Sequence, residues 1–143
     1  MNTTEFKILK LSELERPLLE KFHKTYKSQM KMPADTHLWA LYKGKDIIGS
    51  VCITPTETLA HWLNALYIAP DFRNQGLASM LLNKVLSNYI HDVWLFCLPE
   101  LIPFYDKNGF LRCEFGLPES LEDKLTRYQL TKPLISMLHA HSL

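Results

Sequence analysis

Apolar residues recur along this chain at two periods, and the switches between them mark out its elements. Phe6-Lys7-Ile8-Leu9 alternates like a short strand, and Ser12 with Glu15 three residues later is a capping-box signal for a helix start. The helix so opened carries Leu14, Leu18, Leu19 and Phe22 at helical spacing, with Pro17 near its first turn. From Lys27 to His37 the periodicity is weak, and a loop or a short second helix is expected. His37 to Tyr42 and Ile47 to Thr54 are β-rich runs joined by the polar turn Lys43-Gly44-Lys45-Asp46, which predicts a hairpin. A third strand, His61 to Ile68, stops at Ala69-Pro70-Asp71, because proline cannot continue a ladder. In Leu77 to Tyr89, residues Ala78, Leu81, Leu82, Val85 and Tyr89 share one helical face. Val93 to Leu98 reads as a strand covered on both faces, and Pro103 to Asn108 as a short helix stopped by Gly109. Two late strands are expected, at Phe110 to Phe115 and at Thr126 to Leu130. Leu134 to Leu143 fits either a final helical turn or a segment docked on a partner subunit. The order of elements predicts an α/β sheet of mixed direction, without repeats or linkers.

Length and composition narrow the class. A chain of 143 residues holds one compact core, so 1–143 is read as a single domain. Its net charge of +1 is spread along the chain and leaves no electrostatic footprint for nucleic acid. No apolar run approaches the roughly 20 residues that cross a bilayer, and Met1 to Lys10 lacks a signal-peptide core, so no membrane partner is expected. Cys52, Cys97 and Cys113 are an odd set in apolar surroundings, which fits free thiols and a reducing cytoplasm. The six histidines show neither HExxH nor paired Cys/His spacing, so no metal is expected.

The candidate chemistry lies in Leu66 to Ala78, where a strand ends at Pro70 and enters a helix through Arg73-Asn74-Gln75-Gly76-Leu77-Ala78. A glycine and a small residue keep Cβ atoms off the unpaired N–H groups of the helix start, which together with the helix dipole form an anion site. Arg73 adds a fixed charge. Thirty-two residues after Arg73 comes Tyr105, within Phe104-Tyr105-Asp106-Lys107-Asn108-Gly109-Phe110.

Strand, Pro-x-x-Arg-x-x-Gly-x-Ala, amphipathic helix, apolar strand and Phe-Tyr-x-x-x-Gly-Phe together resemble the signature of the GNAT superfamily of acyl-CoA-dependent N-acyltransferases, over about Ile47 to Phe115. The resemblance implies a central mixed, mostly antiparallel sheet of six to seven strands flanked by helices, with acetyl-CoA (CoA) as acyl donor. It implies that the backbone at Arg73, Asn74, Gln75, Gly76, Leu77 and Ala78 holds the CoA pyrophosphate, with Ser79 adding a hydroxyl. Leu66, Tyr67 and Ile68 match the strand end that pairs with the pantetheine arm, and Val93 to Leu98 the other wall of the acyl slot. Tyr105 matches the acid that protonates the departing thiolate, which suits a phenol of pKa about 10. Phe104 and Phe110 are read as packing residues, and Cys97 as a buried structural thiol rather than a nucleophile.

Two departures matter. Where family members carry proton-relaying carboxylates on the strand before the loop, this chain has Trp62 and Asn64; a water chain held by Asn64, or Glu57, Glu100 or His61, are the alternatives. Strand alternation turns His61 to the side opposite Trp62 and Asn64 unless a bulge intervenes. Leu98 replaces the asparagine frequent near the end of the later strand. The expected function is direct transfer to an amine of a small molecule or peptide, with acceptor choice at Phe22 to Thr36 and Pro55 to Leu59. A protein N-terminus or lysine as acceptor, a CoA-binding regulatory module without turnover and an unrelated α/β interaction domain remain the alternatives. Homodimers are common in the family.

Overall fold

The computed structural model describes residues 5–141. Its strands are β1 (Phe6–Leu11), β2 (His37–Lys43), β3 (Asp46–Pro55), β4 (His61–Ile68), β5 (Val93–Cys97), β6 (Leu111–Arg112) and β7 (Ile135–His139). Its helices are α1 (Arg16–Thr25), α2 (Leu77–Leu86), α3 (Ile102–Lys107) and α4 (Glu119–Tyr128). The strands form one seven-stranded mixed sheet in the order β1-β2-β3-β4-β5-β7-β6, mostly antiparallel, as the resemblance implies. Two compact units emerge, residues 5–53 with 64–88 and residues 54–63 with 89–141, and β4 contributes to both. None of the described helices is long and apolar enough to cross a membrane.

In the first unit the capping box forms: the Ser12 amide donates to Glu15 Oε1 at 2.7 Å. It opens a 3-10 turn, Glu13–Glu15, before α1 begins. At three residues per turn this entry rotates Leu14 off the apolar face, so Leu14 is 93% exposed while Leu19 and Phe22 are buried. Residues 27–36 hold no helix. Arg16 ties this segment down by donating from Nη2 to the carbonyls of Met32 and Pro33, at 2.7 and 2.8 Å. The β2–β3 hairpin turns at Gly44, whose φ of +60° suits glycine. Gly49 on β3 serves a close approach: a Cβ there would lie 2.8 Å from Ile68 Cδ1, the movable end of a side chain, and 3.2 Å from the Tyr67 carbonyl oxygen, so a larger residue would push β3 and the end of β4 apart by a few tenths of an ångström. Leu77, Leu81, Leu82, Val85 and Leu86 of α2 are buried, close to the face read from the sequence.

His23, buried on α1, was not singled out by its sequence pattern. Its Nδ1 lies 2.7 Å from Ser28 Oγ and its Nε2 3.0 Å from the fully buried Ser50 Oγ, so one ring joins α1, the following loop and β3. Burial lowers the His23 pKa below 6.5. The unfolded chain therefore binds the extra proton first, and the contribution of His23 to stability is full above about pH 6.5 and is lost as pH falls through the lower folded-state pKa. Urea denaturation at about pH 8 and about pH 5 should show a larger loss of stability for the natural sequence than for His23→Gln. Equal losses would show that His23 does not titrate with folding.

In the second unit β4 begins as a parallel partner of β5, from His61↔Val93 to Leu63↔Leu95. β7 pairs antiparallel with β5, from Val93↔His139 to Cys97↔Ile135, and β6 pairs with β7. Three sequence expectations are corrected here. Thr126 to Leu130 is no strand: Thr126 to Tyr128 complete α4, and Gln129 and Leu130 continue it as a turn. Leu121, Lys124, Leu125 and Tyr128 set a helical period there that overrides the local β preference. The last strand lies instead in the tail, as β7, and Ile135–His139 forms no helical turn. The strand expected over Phe110 to Phe115 shrinks to β6, because the fully buried Phe110 packs on Tyr105 and His139 before the ladder starts.

Candidate active site

β4 reaches Ile68 with one departure from regular geometry: Ala65 has a φ of +58°. A left-handed non-glycine residue costs about 1–2 kcal/mol and breaks the period-two alternation between Asn64 and Leu66. Beyond Ile68 the Ala69 amide still donates to the Ile48 carbonyl at 2.8 Å, and Pro70–Phe72 then form a 3-10 turn. The loop that follows has two left-handed residues in three, Asn74 at φ +64° and Gly76 at φ +78°, and α2 starts at Leu77. No side chain caps this helix start, so the amides of Leu77 and Ala78 have no intrahelical acceptor and no side-chain acceptor. A Cβ on Gly76 would meet no protein atom within 4 Å, so the loop is open on that side. Ser79 follows, half-buried, in the first turn.

Arg73 is held rather than loose. Its Nε donates to the Ile68 carbonyl at 2.8 Å and its guanidinium lies 5.1 Å over the Tyr67 ring, which in turn makes edge contacts with Phe22 and His23. Its two terminal nitrogens make no hydrogen bond among the described residues, which leaves a fixed charge with free donors beside the helix start. The first unit thus brings together the residues from Leu66 to Ser79. Asn64 belongs to the same unit; its Nδ2 donates to the Lys31 carbonyl at 3.0 Å, while its buried Oδ1 has no hydrogen-bond partner among the described residues.

Tyr105 lies on α3 in the second unit, 8% exposed, with the Phe104 ring 5.0 Å and the Phe110 ring 5.7 Å away, both edge-on. Its hydroxyl makes no hydrogen bond among the described residues. Burial, aided by the nearby Cys97 thiol, pushes its pKa well above the ordinary value of 10.0. The phenol thus keeps its proton through neutral pH. Cys97 is itself buried, 3.7 Å from the Met137 sulfur, and burial raises its pKa, which suits a packing thiol and not a nucleophile.

Of the other base candidates, Glu57 and His61 are engaged elsewhere and Glu100 is exposed. Glu57 accepts the Ser120 amide at 3.0 Å through Oε2 and the Ser120 hydroxyl through Oε1, capping α4, and these bonds hold its pKa below the usual range. Glu57→Gln should lower the melting temperature while leaving the acetyl-transfer rate within about twofold; a loss beyond about tenfold would show that the carboxylate acts on the acceptor. His61 packs edge-on against Tyr89 at 4.9 Å, and the left-handed residue of β4 lies beyond it at Ala65. Glu100 is exposed in the 3-10 turn Pro99–Leu101. Trp62 is buried in an aromatic cluster that its sequence position alone does not reveal. The only sequence trace of its neighbours is the pairing of Lys124 with Tyr128 four residues on, which places them on one face of α4.

A family model described as "Acetyltransferase (GNAT) domain" matches residues 34–112. No curated protein matches the chain by sequence. Among solved structures, the chain is similar to the ribosomal-protein-S18-alanine N-acetyltransferase of Escherichia coli, with 15% identity, a TM-score of 0.68 and coverage of 96% of this chain and 95% of that one. It is similar to a GNAT family acetyltransferase of Elizabethkingia anophelis with acetyl-CoA bound, with 15% identity, a TM-score of 0.65 and coverage of 95% and 98%. It is also similar to the N-acetylglutamate synthase of Neisseria gonorrhoeae complexed with coenzyme A and N-acetyl-glutamate, with 14% identity and a TM-score of 0.69; that match takes in 96% of this chain and 35% of the synthase, so the chain spans about a third of that protein's length. These likenesses show the fold, and the family match covers more than half of the sequence. The chain belongs to the GNAT family of acetyltransferases.

Proposed function

We propose that residues 1–143 form a single acetyltransferase domain that moves the acetyl group of acetyl-CoA directly to an amine of a small molecule or peptide. The observation that carries this reading is the uncapped start of α2 behind two left-handed residues, with the anchored Arg73 guanidinium beside it. Backbone N–H groups from Gly76 to Ala78 and the free nitrogens of Arg73 hold the pyrophosphate, each hydrogen bond to a charged oxygen contributing roughly 1.5–3 kcal/mol. Leu66 to Ile68 offer the end of β4 to the pantetheine arm as an added strand would. The acceptor nitrogen attacks the thioester carbon, the carbon–sulfur bond breaks, and Tyr105 gives its proton to the departing thiolate.

Asn64 Oδ1 holds the water that takes the proton lost by the amine. With no carboxylate at Trp62 or Asn64, the acceptor must arrive already neutral. An alkyl amine of pKa about 10.4 pays about 4 kcal/mol for this near pH 7.4, while an α-amine of pKa about 8 pays under about 1 kcal/mol. The missing carboxylates therefore favour an α-amine. The same α-amine chemistry stands in the names of two similar proteins, the S18-alanine transferase and the N-acetylglutamate synthase.

Calorimetric titration with CoA tests the carrying observation: saturable binding at micromolar concentration is expected, and no heat at millimolar CoA would refute it. The same absence of strand carboxylates favours a second reading, a CoA-binding module without turnover. CoA binding with no acceptor-dependent thiol release from any amine would establish that module instead.

A further inference from the structure

Within the second unit, three aromatic side chains and one cation form an arrangement that the proposed reaction does not use. Trp62 on β4 and Phe96 on β5 have ring centroids 5.5 Å apart, and Phe96 meets Tyr128 of α4 at 6.4 Å with the rings at 89°. The Lys124 ammonium lies against two of these rings, 4.9 Å from the Trp62 centroid and 5.7 Å from that of Tyr128. Both distances are within the range at which a ring face attracts a cation.

Lys124 forms no ion pair or hydrogen bond among the described residues, although Glu122 and Asp123 adjoin it in sequence. Its charge is met by ring faces alone. Trp62 is 6% exposed and its indole N–H is buried with no hydrogen-bond partner, so the floor of the box is desolvated and packing alone holds it. The outer wall differs: Tyr128 is 39% exposed, and Lys124 is half-buried on a flexible stem. The box therefore has a buried indole floor, a wall open to solvent and an occupant tethered through four methylenes.

We infer that the Trp62–Phe96–Tyr128 box is a binding site for a small organic ammonium, occupied here by the chain's own Lys124, which swings out when a ligand cation enters. A quaternary or N-methylated ammonium is the favoured class. It spreads its charge over methyl groups that contact ring faces, and it sheds its hydration at less cost than the compact lysine head. The inference is independent of acetyl transfer and stands or falls on binding.

Choline is a suitable probe, with its uncharged carbon isostere, in which a tert-butyl group replaces the trimethylammonium, as control. Binding is read by isothermal titration calorimetry, which needs no reporter at Trp62. Lys124→Met keeps the stem and removes the resident cation, and should bind choline about tenfold more tightly than the natural sequence while gaining nothing for the isostere. Trp62→Leu placed in the Lys124→Met background should abolish the gain. Because Trp62 is a core residue, Tyr128→Leu at the exposed wall supplies the second variant and should lower choline affinity by a factor of about three or more. The inference is overturned if choline and its isostere bind equally, if Lys124→Met gains no choline affinity, or if the gain survives Tyr128→Leu unchanged.

Discussion

Gly76→Asp is expected to weaken CoA binding by two to four decades while leaving the protein folded, its stability lowered by no more than the left-handed strain of about 1–2 kcal/mol. Gly76 is the N-cap of α2 at φ +78°, and no side chain caps the helix now. Aspartate is among the best N-caps and, with asparagine, tolerates left-handed backbone better than other non-glycine residues. Its carboxylate would accept the amide protons that the proposed pyrophosphate contact requires, and would oppose the phosphates by charge. Losing two charge-assisted hydrogen bonds of roughly 1.5–3 kcal/mol each removes about 3–6 kcal/mol of binding, which is the two to four decades expected. Gly76→Ala separates the components. Its Cβ meets no protein atom within 4 Å, so it carries only the left-handed strain of about 1–2 kcal/mol and whatever the ligand itself occupies. Calorimetry on both variants should show the aspartate far weaker than the alanine. Equal, mild losses would show that the α2 start does not hold the pyrophosphate.

Tyr105→Phe is expected to lower kcat by 10² to 10⁴, the usual contribution of a positioned proton donor, with the KM for acetyl-CoA changed by less than about threefold. The substitution deletes one hydroxyl that makes no hydrogen bond among the described residues and keeps the ring between Phe104 and Phe110, so stability should barely move. The pH dependence follows from burial. A buried phenol resists ionisation, and its raised pKa keeps the proton on oxygen through neutral and mildly alkaline pH. The rate of the natural sequence should rise with pH as the acceptor amine becomes neutral, with no descending limb at or below about pH 10 from Tyr105. A descending limb in that range that vanishes in Tyr105→Phe would contradict the assignment of a shielded acid.

Much of this was legible because it was local. β4 runs from His61 to Ile68 as its alternation and Pro70 predict, and the Arg73 to Ala78 string enters α2 at Leu77 through the glycine that the turn requires. The Ser12–Glu15 capping box also forms as written. The misreadings share a non-local cause. Thr126 to Leu130 falls to a helical period that starts upstream at Leu121, in a helix whose first turn is held by Glu57, more than sixty residues earlier in the chain. β7 pairs on one side with β5 and on the other with β6, and no local pattern in Ile135 to His139 announces either neighbour. Likewise, Ser50 tells nothing of its bond to His23, and the alanine at 65 carries no sign of a left-handed backbone. The base is the part of the site least readable from sequence, since the residues that replace the carboxylates have been drawn into other contacts: Trp62 into an aromatic box, Asn64 onto the Lys31 carbonyl.

The central claim is transfer of an acetyl group from CoA to an amine, and following the label itself tests it most directly. The protein is incubated with acetyl-CoA carrying a radiolabelled acetyl group and with single amines drawn from amino acids, peptides with free N-termini and alkyl amines. The account predicts label on the amine, fastest for α-amines near neutral pH and reduced at least a hundredfold by Tyr105→Phe. Label that stays on CoA with every amine, or leaves only as free acetate at a rate indifferent to the amine, would contradict it.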